Sequence, residues 1–334
     1  MLLINWLKLE VRRRIIKSLL TQSHRKKIRG KRERKRKTEN RSHQVFYLHQ
    51  VDDPYSHLCC QILDQLENSY DIEVIPLVVG PPPPSSTPEV EMLQKHNIED
   101  AKMIAPYYGL TFETNEMDIE SKNIKIAQSI LLGTNQESFA KVSLQVGDAL
   151  WRNDSETLQD LQQNSTVLSD EEISARIQIN SQKQKKLGHY YGGVFAYEGE
   201  CYGCIDRVPF LEERLVELGT NKSDQQSIFN RKSLKDELPL KLDGLTLEVL
   251  FSVRSPYSYL ALPQLIEFRK RYPIKVVYRP ILPMVMRGMV INREKMFYIL
   301  SDCKRIAEKK GMPFGNICLL YTSPSPRDQR GSRM

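Results

Sequence analysis

The sequence contains no run of about 18 apolar residues, the length a helix needs to cross a bilayer, so no membrane span is expected. The N-terminus also lacks the order of charge, apolar block and small-residue cleavage site that marks an export signal. Cysteine is scarce, at six in 334 residues, and positions 59, 60, 201, 204, 303 and 318 form no spaced framework of the kind that staples small secreted domains. Adjacent Cys59 and Cys60 are poor partners for each other and read most simply as small buried apolar residues. These absences predict a cytoplasmic protein with reduced thiols. Cys201-Tyr-Gly-Cys204 has C-x-x-C spacing, but no second C-x-x-C or H-x-x-H completes a zinc set, so no metal is expected.

Acidic residues are nearly missing from the first 41 positions, where sixteen Lys and Arg face three Glu, a local charge of +13. Since the whole chain sums to +8, everything after them carries −5. The basic character therefore belongs to a leader, residues 1–41. Leu3, Leu7, Val11, Ile15 and Leu19 recur four apart within it, the pattern of an amphipathic basic helix. Residues 25–37 then place ten basic side chains in thirteen positions. Such a block is either solvated or drawn to acidic lipid or nucleic acid. No aromatic residue is interleaved, so base stacking has no support.

What the chain does have is a repeat. Residues 48–112 align without a gap on 250–314: Pro54, Tyr55, Ser56, Leu58, Tyr70, Ile72, Val74, Asp100, Ala105, Gly109 and Phe112 recur as Pro256, Tyr257, Ser258, Leu260, Tyr272, Ile274, Val276, Asp302, Ala307, Gly311 and Phe314. A repeat of this length indicates a duplicated domain rather than a solenoid unit. The chain is centred on its second turn, Ser255-Pro256-Tyr257-Ser258. Before that turn Leu247, Val249 and Phe251 alternate as in a strand, and after it Leu260, Leu262, Leu265, Ile266 and Phe268 follow a helical spacing. Pro256 falls just inside the helix start and Ser255 at its cap, where an anion or thiolate would be stabilised. Simple capping is the plainer reading of Ser255.

Taken in order, the first domain, 44–221, reads as strand, helix through Leu66, strand at 72–79, a proline-rich stretch, a helical insert from about 89 to 185, two strands and a last helix. That order predicts an α/β chain of two tandem thioredoxin-like domains with helical insertions. A polar linker at 222–244 leads to the second domain, 245–317, which repeats strand, helix, strand and the start of the insert. The following Cys318-Leu-Leu-Tyr-Thr-Ser-Pro-Ser-Pro-Arg-Asp resembles a translated sequencing adapter. Residues 318–334 are accordingly expected to be a non-native tail and the second domain truncated.

The strand into Ser-Pro-Tyr-Ser-Tyr-Leu-Ala, then Tyr278-Arg279-Pro280, then Lys295, Tyr298, Asp302, Arg305, Ala307, Gly311, Pro313 and Phe314 together resemble the family of 2-hydroxychromene-2-carboxylate isomerase and the kappa-class glutathione transferases, in the DsbA-like branch of the thioredoxin fold. The resemblance implies that Ser255 hydrogen-bonds the sulfur of bound glutathione, with Tyr257, Lys295 and Arg305 in the glutathione and substrate site, and a small electrophile as substrate. It also implies pairing of the two domains or of two chains. Solvated face charges are the plainer reading of Lys295 and Arg305. The first domain departs at each of these positions: Asp53 stands where Ser255 does, and its charge would repel a thiolate. Gly192-Gly193 replaces the cis-proline that the fold normally sets against this turn. A glutathione-dependent isomerase or transferase is the leading expectation. A non-catalytic scaffold attached through the leader and a thiol-disulfide oxidoreductase using Cys201 and Cys204 are the alternatives.

Overall fold

A computed structural model describes residues 11, 14, 17–84, 86–87, 89–114, 119–222, 244–272, 274–287, 289 and 291–314. They belong to two compact units, Glu33–Leu234 and the combination of Met1–Arg32 with Lys235–Met334. Most of the amphipathic pattern over 2–20, nearly all of the linker and the whole of 318–334 lie outside the described residues.

In the unit of Glu33–Leu234, strand β1 (Gln44–His49) runs through the core, with Val45, Tyr47 and Leu48 fully buried. Asp53 ends the following turn in an extended conformation and caps helix α2 (Pro54–Cys60). Pro54 sits in that helix's first turn, where its missing N–H leaves no bond unmade. The expected single helix through Leu66 is instead two, α2 and α3 (Leu63–Ser69). At the break, Gln61 is drawn into a reciprocal pair with Thr111: its side-chain amide donates to the Thr111 carbonyl at 2.8 Å and its Oε1 accepts the Thr111 N–H at 3.1 Å. Strand β2 (Glu73–Val78) then pairs parallel to β1, with Gln44 opposite Glu73.

The expected helical insert is present as α4 (Val90–Ile104), α5 (Ser121–Gly133), α6 (Gln136–Trp151), α7 (Ser155–Gln163) and α8 (Asp170–Leu187). Helix α8 begins at a capping box in which Ser169 and Glu172 satisfy each other's backbone N–H. Strands β3 (Val194–Tyr197) and β4 (Glu200–Gly203) complete a mixed sheet of order β2-β1-β3-β4, and α9 (Val208–Val216) closes the core. This mixed α/β architecture is consistent with the thioredoxin-like expectation.

In the other unit, β5 (Thr246–Phe251) and β6 (Lys275–Pro280) pair parallel with Thr246 opposite Lys275. Both strands of this pair start 202 positions after β1 and β2, so the register is the same. Helix α10 (Pro256–Arg271) connects them, and α11 (Arg293–Lys309) packs its Cys303 and Ala307 against Leu260. The basic run of the leader forms helix α1 (Gln22–Thr38), none of whose residues is buried and whose part up to Arg32 belongs to this unit. Just before it Leu20, only 8% exposed, packs with Leu300 and Met296, and within it Arg25 pairs with Glu308. Burying that one leucine is favourable by about 1.5–3 kcal/mol.

Candidate functional site

Ser255 occupies the cap of α10, in extended conformation at φ −85° and ψ 122°. Its Oγ accepts the Ser258 N–H at 3.4 Å, a long bond that spends little of the hydroxyl's capacity. The proton of that hydroxyl is thus a donor at the positive end of a sixteen-residue helix. The hydrogen bonds of Ser255 run to Ser252, Ser258 and Tyr259, and none to Lys295 or Arg305.

Two of the expected site residues meet below this turn. The Tyr257 hydroxyl donates to Asp302 Oδ2 at 2.9 Å, and the Arg305 guanidinium lies 3.6 Å from Asp302 Oδ1. Asp302 is fully buried and Arg305 is 7% exposed. A turn apart on one helix, these two share a face, and that face is the one α11 turns inward. Burial first, and then the Asp302 charge, raises the Tyr257 pKa far above its ordinary value, so the phenol stays a donor. Although its hydroxyl is fixed, Tyr257 remains 36% exposed. Lys295 stands in the first turn of α11, where its N–H donates to the Asn292 cap at 2.8 Å. It is half-buried, and desolvation lowers its pKa.

The corresponding turn of the other unit has the same scaffold and different chemistry. Tyr55 donates to Asp100 Oδ2 at 2.7 Å, as Tyr257 does to Asp302. Asp53 accepts from both the N–H of Ser56 at 2.8 Å and its hydroxyl at 2.7 Å. Burial nevertheless raises its carboxyl to about 6, outweighing those hydrogen bonds. The space over this turn is taken by main chain. A Cβ added at Gly192 would lie 2.6 Å from Ser56 Oγ, and one at Gly193, whose φ is +61°, would lie 3.0 Å from Tyr55. The residues at this turn do not fit a bound thiolate.

Cys201 donates to the Leu187 carbonyl at 3.4 Å, whereas the buried Cys59 donates to the Gly193 carbonyl. The Gly193 carbonyl accepts the Cys204 N–H at 2.7 Å and the Cys59 thiol at 3.6 Å, fixing the two residues around one oxygen. Cys204 has φ 60° and ψ 173°, a region open in practice only to glycine and costing about 1–3 kcal/mol for other residues. It lines a cavity of about 320 Å³ with Tyr55, Asp100, Ile104, Tyr108 and Asp206. No sequence spacing signals this pair, because 144 positions separate its members and only the sheet brings them together. Among the described residues no group of three or more His, Cys, Asp and Glu side chains is arranged to hold a metal ion, and no helix is long and apolar enough to cross a membrane.

No protein-family model matches the chain, and no curated protein matches it. Among solved structures it is similar to one described as 2-hydroxychromene-2-carboxylate isomerase, at 13% identity and a TM-score of 0.37, over 53% of this chain and 96% of that one.

Proposed function

We propose that the chain carries two copies of one thioredoxin-like unit and that the second was built to bind glutathione for isomerase or transferase chemistry on a small electrophile. The observation that carries this reading is the Ser255 hydroxyl, held at the start of α10 by one long contact from Ser258 and otherwise available to donate. The shared strand register and the repeated Tyr-to-Asp hydrogen bond support the duplication.

Bound glutathione supplies the nucleophilic sulfur, which a serine alone would not. Ser255 donates to that sulfur, and the N-terminus of α10 adds its positive partial charge; together they lower a thiol pKa of about 8.5 towards neutrality. Lys295 is the cation for a carboxylate. Arg305 acts through Asp302, and Asp302 through the Tyr257 hydroxyl, so that the exposed part of the Tyr257 ring keeps a fixed place beside the turn. Calorimetric titration of the full chain with glutathione tests this. Binding that Ser255→Ala weakens supports the reading, and absence of any heat of binding overturns it.

A second reading, a non-catalytic protein attached through its leader, is favoured by one observation. The basic run 25–37 lies on a continuous helix with Lys26, Lys27, Lys31, Arg34, Lys35 and Lys37 all exposed.

A further inference from the structure

We propose that α1 is a docking surface for duplex DNA, its basic face seated in the major groove and held by phosphate contacts without base selection. The proposal rests on the second reading, in which the leader attaches the protein, and not on glutathione binding at Ser255. The surface is one half of a continuous helix, Gln22–Thr38, whose sequence holds a single acidic residue, Glu33.

The charges on that helix are sorted by face. Lys26, Lys27, Lys31, Arg34, Lys35 and Lys37 are exposed, whereas Arg25, Arg29, Arg32 and Arg36 are half-buried. At about 100° per residue, Lys26 and Lys37 lie within about 20° of each other on one flank, Arg34 and Lys27 follow at about 80–100°, and Lys31 and Lys35 form the opposite flank at about 140–180°. The four half-buried arginines all fall at about 240–300°, on the other half. Glu33 lies on that half too, its carboxylate engaged by Arg36 at 2.7 Å. Lys37 reaches Glu33 only at 3.7 Å, and Lys35 reaches Glu39, just past the helix, at 3.6 Å, both lysines staying mostly exposed. Surface pairs of this kind are worth little, so the outer half presents six cations and no carboxylate of its own helix.

The layout of these cations selects the partner. Charges on both flanks, with two more between them, match a trough with two charged walls better than a plane. The major groove of B-form DNA is such a trough, about 12 Å wide, and a helix with its side chains measures about 10–12 Å across. The major groove of duplex RNA is too narrow to be entered in this way. A membrane surface is flat and meets one sector of the helix at a time. Helices seated on membranes also bury an apolar face. In α1 the one large apolar residue is Ile28, and the neighbouring Leu20 is already packed with Leu300 and Met296. The helix has no aromatic residue to stack on unpaired bases, which leaves the paired backbone as the target.

The test is a fluorescence-anisotropy titration of labelled DNA duplexes of two unrelated sequences with the full chain, over a series of salt concentrations. Both duplexes should bind equally, and log K should fall against log salt with a slope of about −5, since each phosphate contact releases about 0.9 counterion. Lys26→Ala with Lys37→Ala removes one flank and Lys31→Ala with Lys35→Ala the other; each pair should weaken binding about tenfold or more and flatten the slope by about 2. Lys185→Ala with Lys186→Ala, equally exposed but at the end of α8, should change neither. Phosphatidylserine vesicles at the same total phosphate should fail to displace the duplex at physiological salt. Displacement by the vesicles, or a loss confined to one flank, overturns the proposal and leaves the leader an attachment device. Failure to bind either duplex or vesicles overturns the proposal and the second reading together. The wild-type slope and the competition need no variant, so a misfolded substitution cannot decide the outcome.

Discussion

Asp53 and Ser255 begin equivalent helices, and the difference between a carboxylate and a hydroxyl sets what each turn does. Asp53 is spent on Ser56 through two short bonds and still has its carboxyl pushed up from 3.8 to about 6 by burial. A carboxyl whose folded pKa exceeds its unfolded one holds its proton more tightly in the folded chain. Folding therefore gains below the unfolded value of 3.8 and loses that gain as pH rises through about 6. Asp53→Asn keeps a competent cap and removes this titration. Denaturant unfolding at a series of pH values should show the wild type losing ground to the variant as pH climbs across that window. Parallel profiles would contradict it. Ser255 has no such burden, since its one side-chain bond is long and its charge is zero.

At the scale of elements, the sharpest test is the contact between α2 and α6. Gly147 lies within α6, where alanine would ordinarily be favoured by about 1 kcal/mol. A Cβ there would meet His57 Nδ1 at 2.2 Å. The His57 ring is 3% exposed, packs beside Phe112 and has its Nε2 3.3 Å from Asp148, so it has little room to retreat. Overpacking of this kind costs about 1–3 kcal/mol, and Gly147→Ala should lower the denaturation midpoint; a raised midpoint would show that propensity wins. The strands and the two capped turns were legible in the sequence because period-two alternation, Pro54, Pro256 and a capping side chain are local signals. The break at Gln61 was not, and the side chain there bonds Thr111, fifty residues away. Arg305 meets the carboxylate of Asp302 in the fold. Their spacing on one helix face was the available signal. The meeting of Cys59 and Cys204 on the Gly193 carbonyl left no sequence trace at all, as it depends on how β3 and β4 return to the first turn.

Over the whole molecule, charge is divided between a leader of +13 and a remainder of −5. Neutralising phosphates by such a run gives binding that falls steeply with salt. Glu substitutions at Lys26, Lys27, Lys31 and Lys35, all exposed, should abolish sedimentation with acidic phospholipid vesicles at low salt while glutathione binding is kept. Retained sedimentation would remove the leader as an attachment device. Leu20 shows that the division is not complete, because an apolar residue of the leader is part of a core. The central claim, a hydroxyl that steadies a sulfur anion, is met most directly by titrating the ultraviolet absorbance of glutathione thiolate bound to the full chain and to Ser255→Ala. A hydrogen bond to a charged group contributes about 1.5–3 kcal/mol, so the bound thiol of the variant should titrate about one to two pH units higher. Identical titration curves for the two proteins would contradict the account.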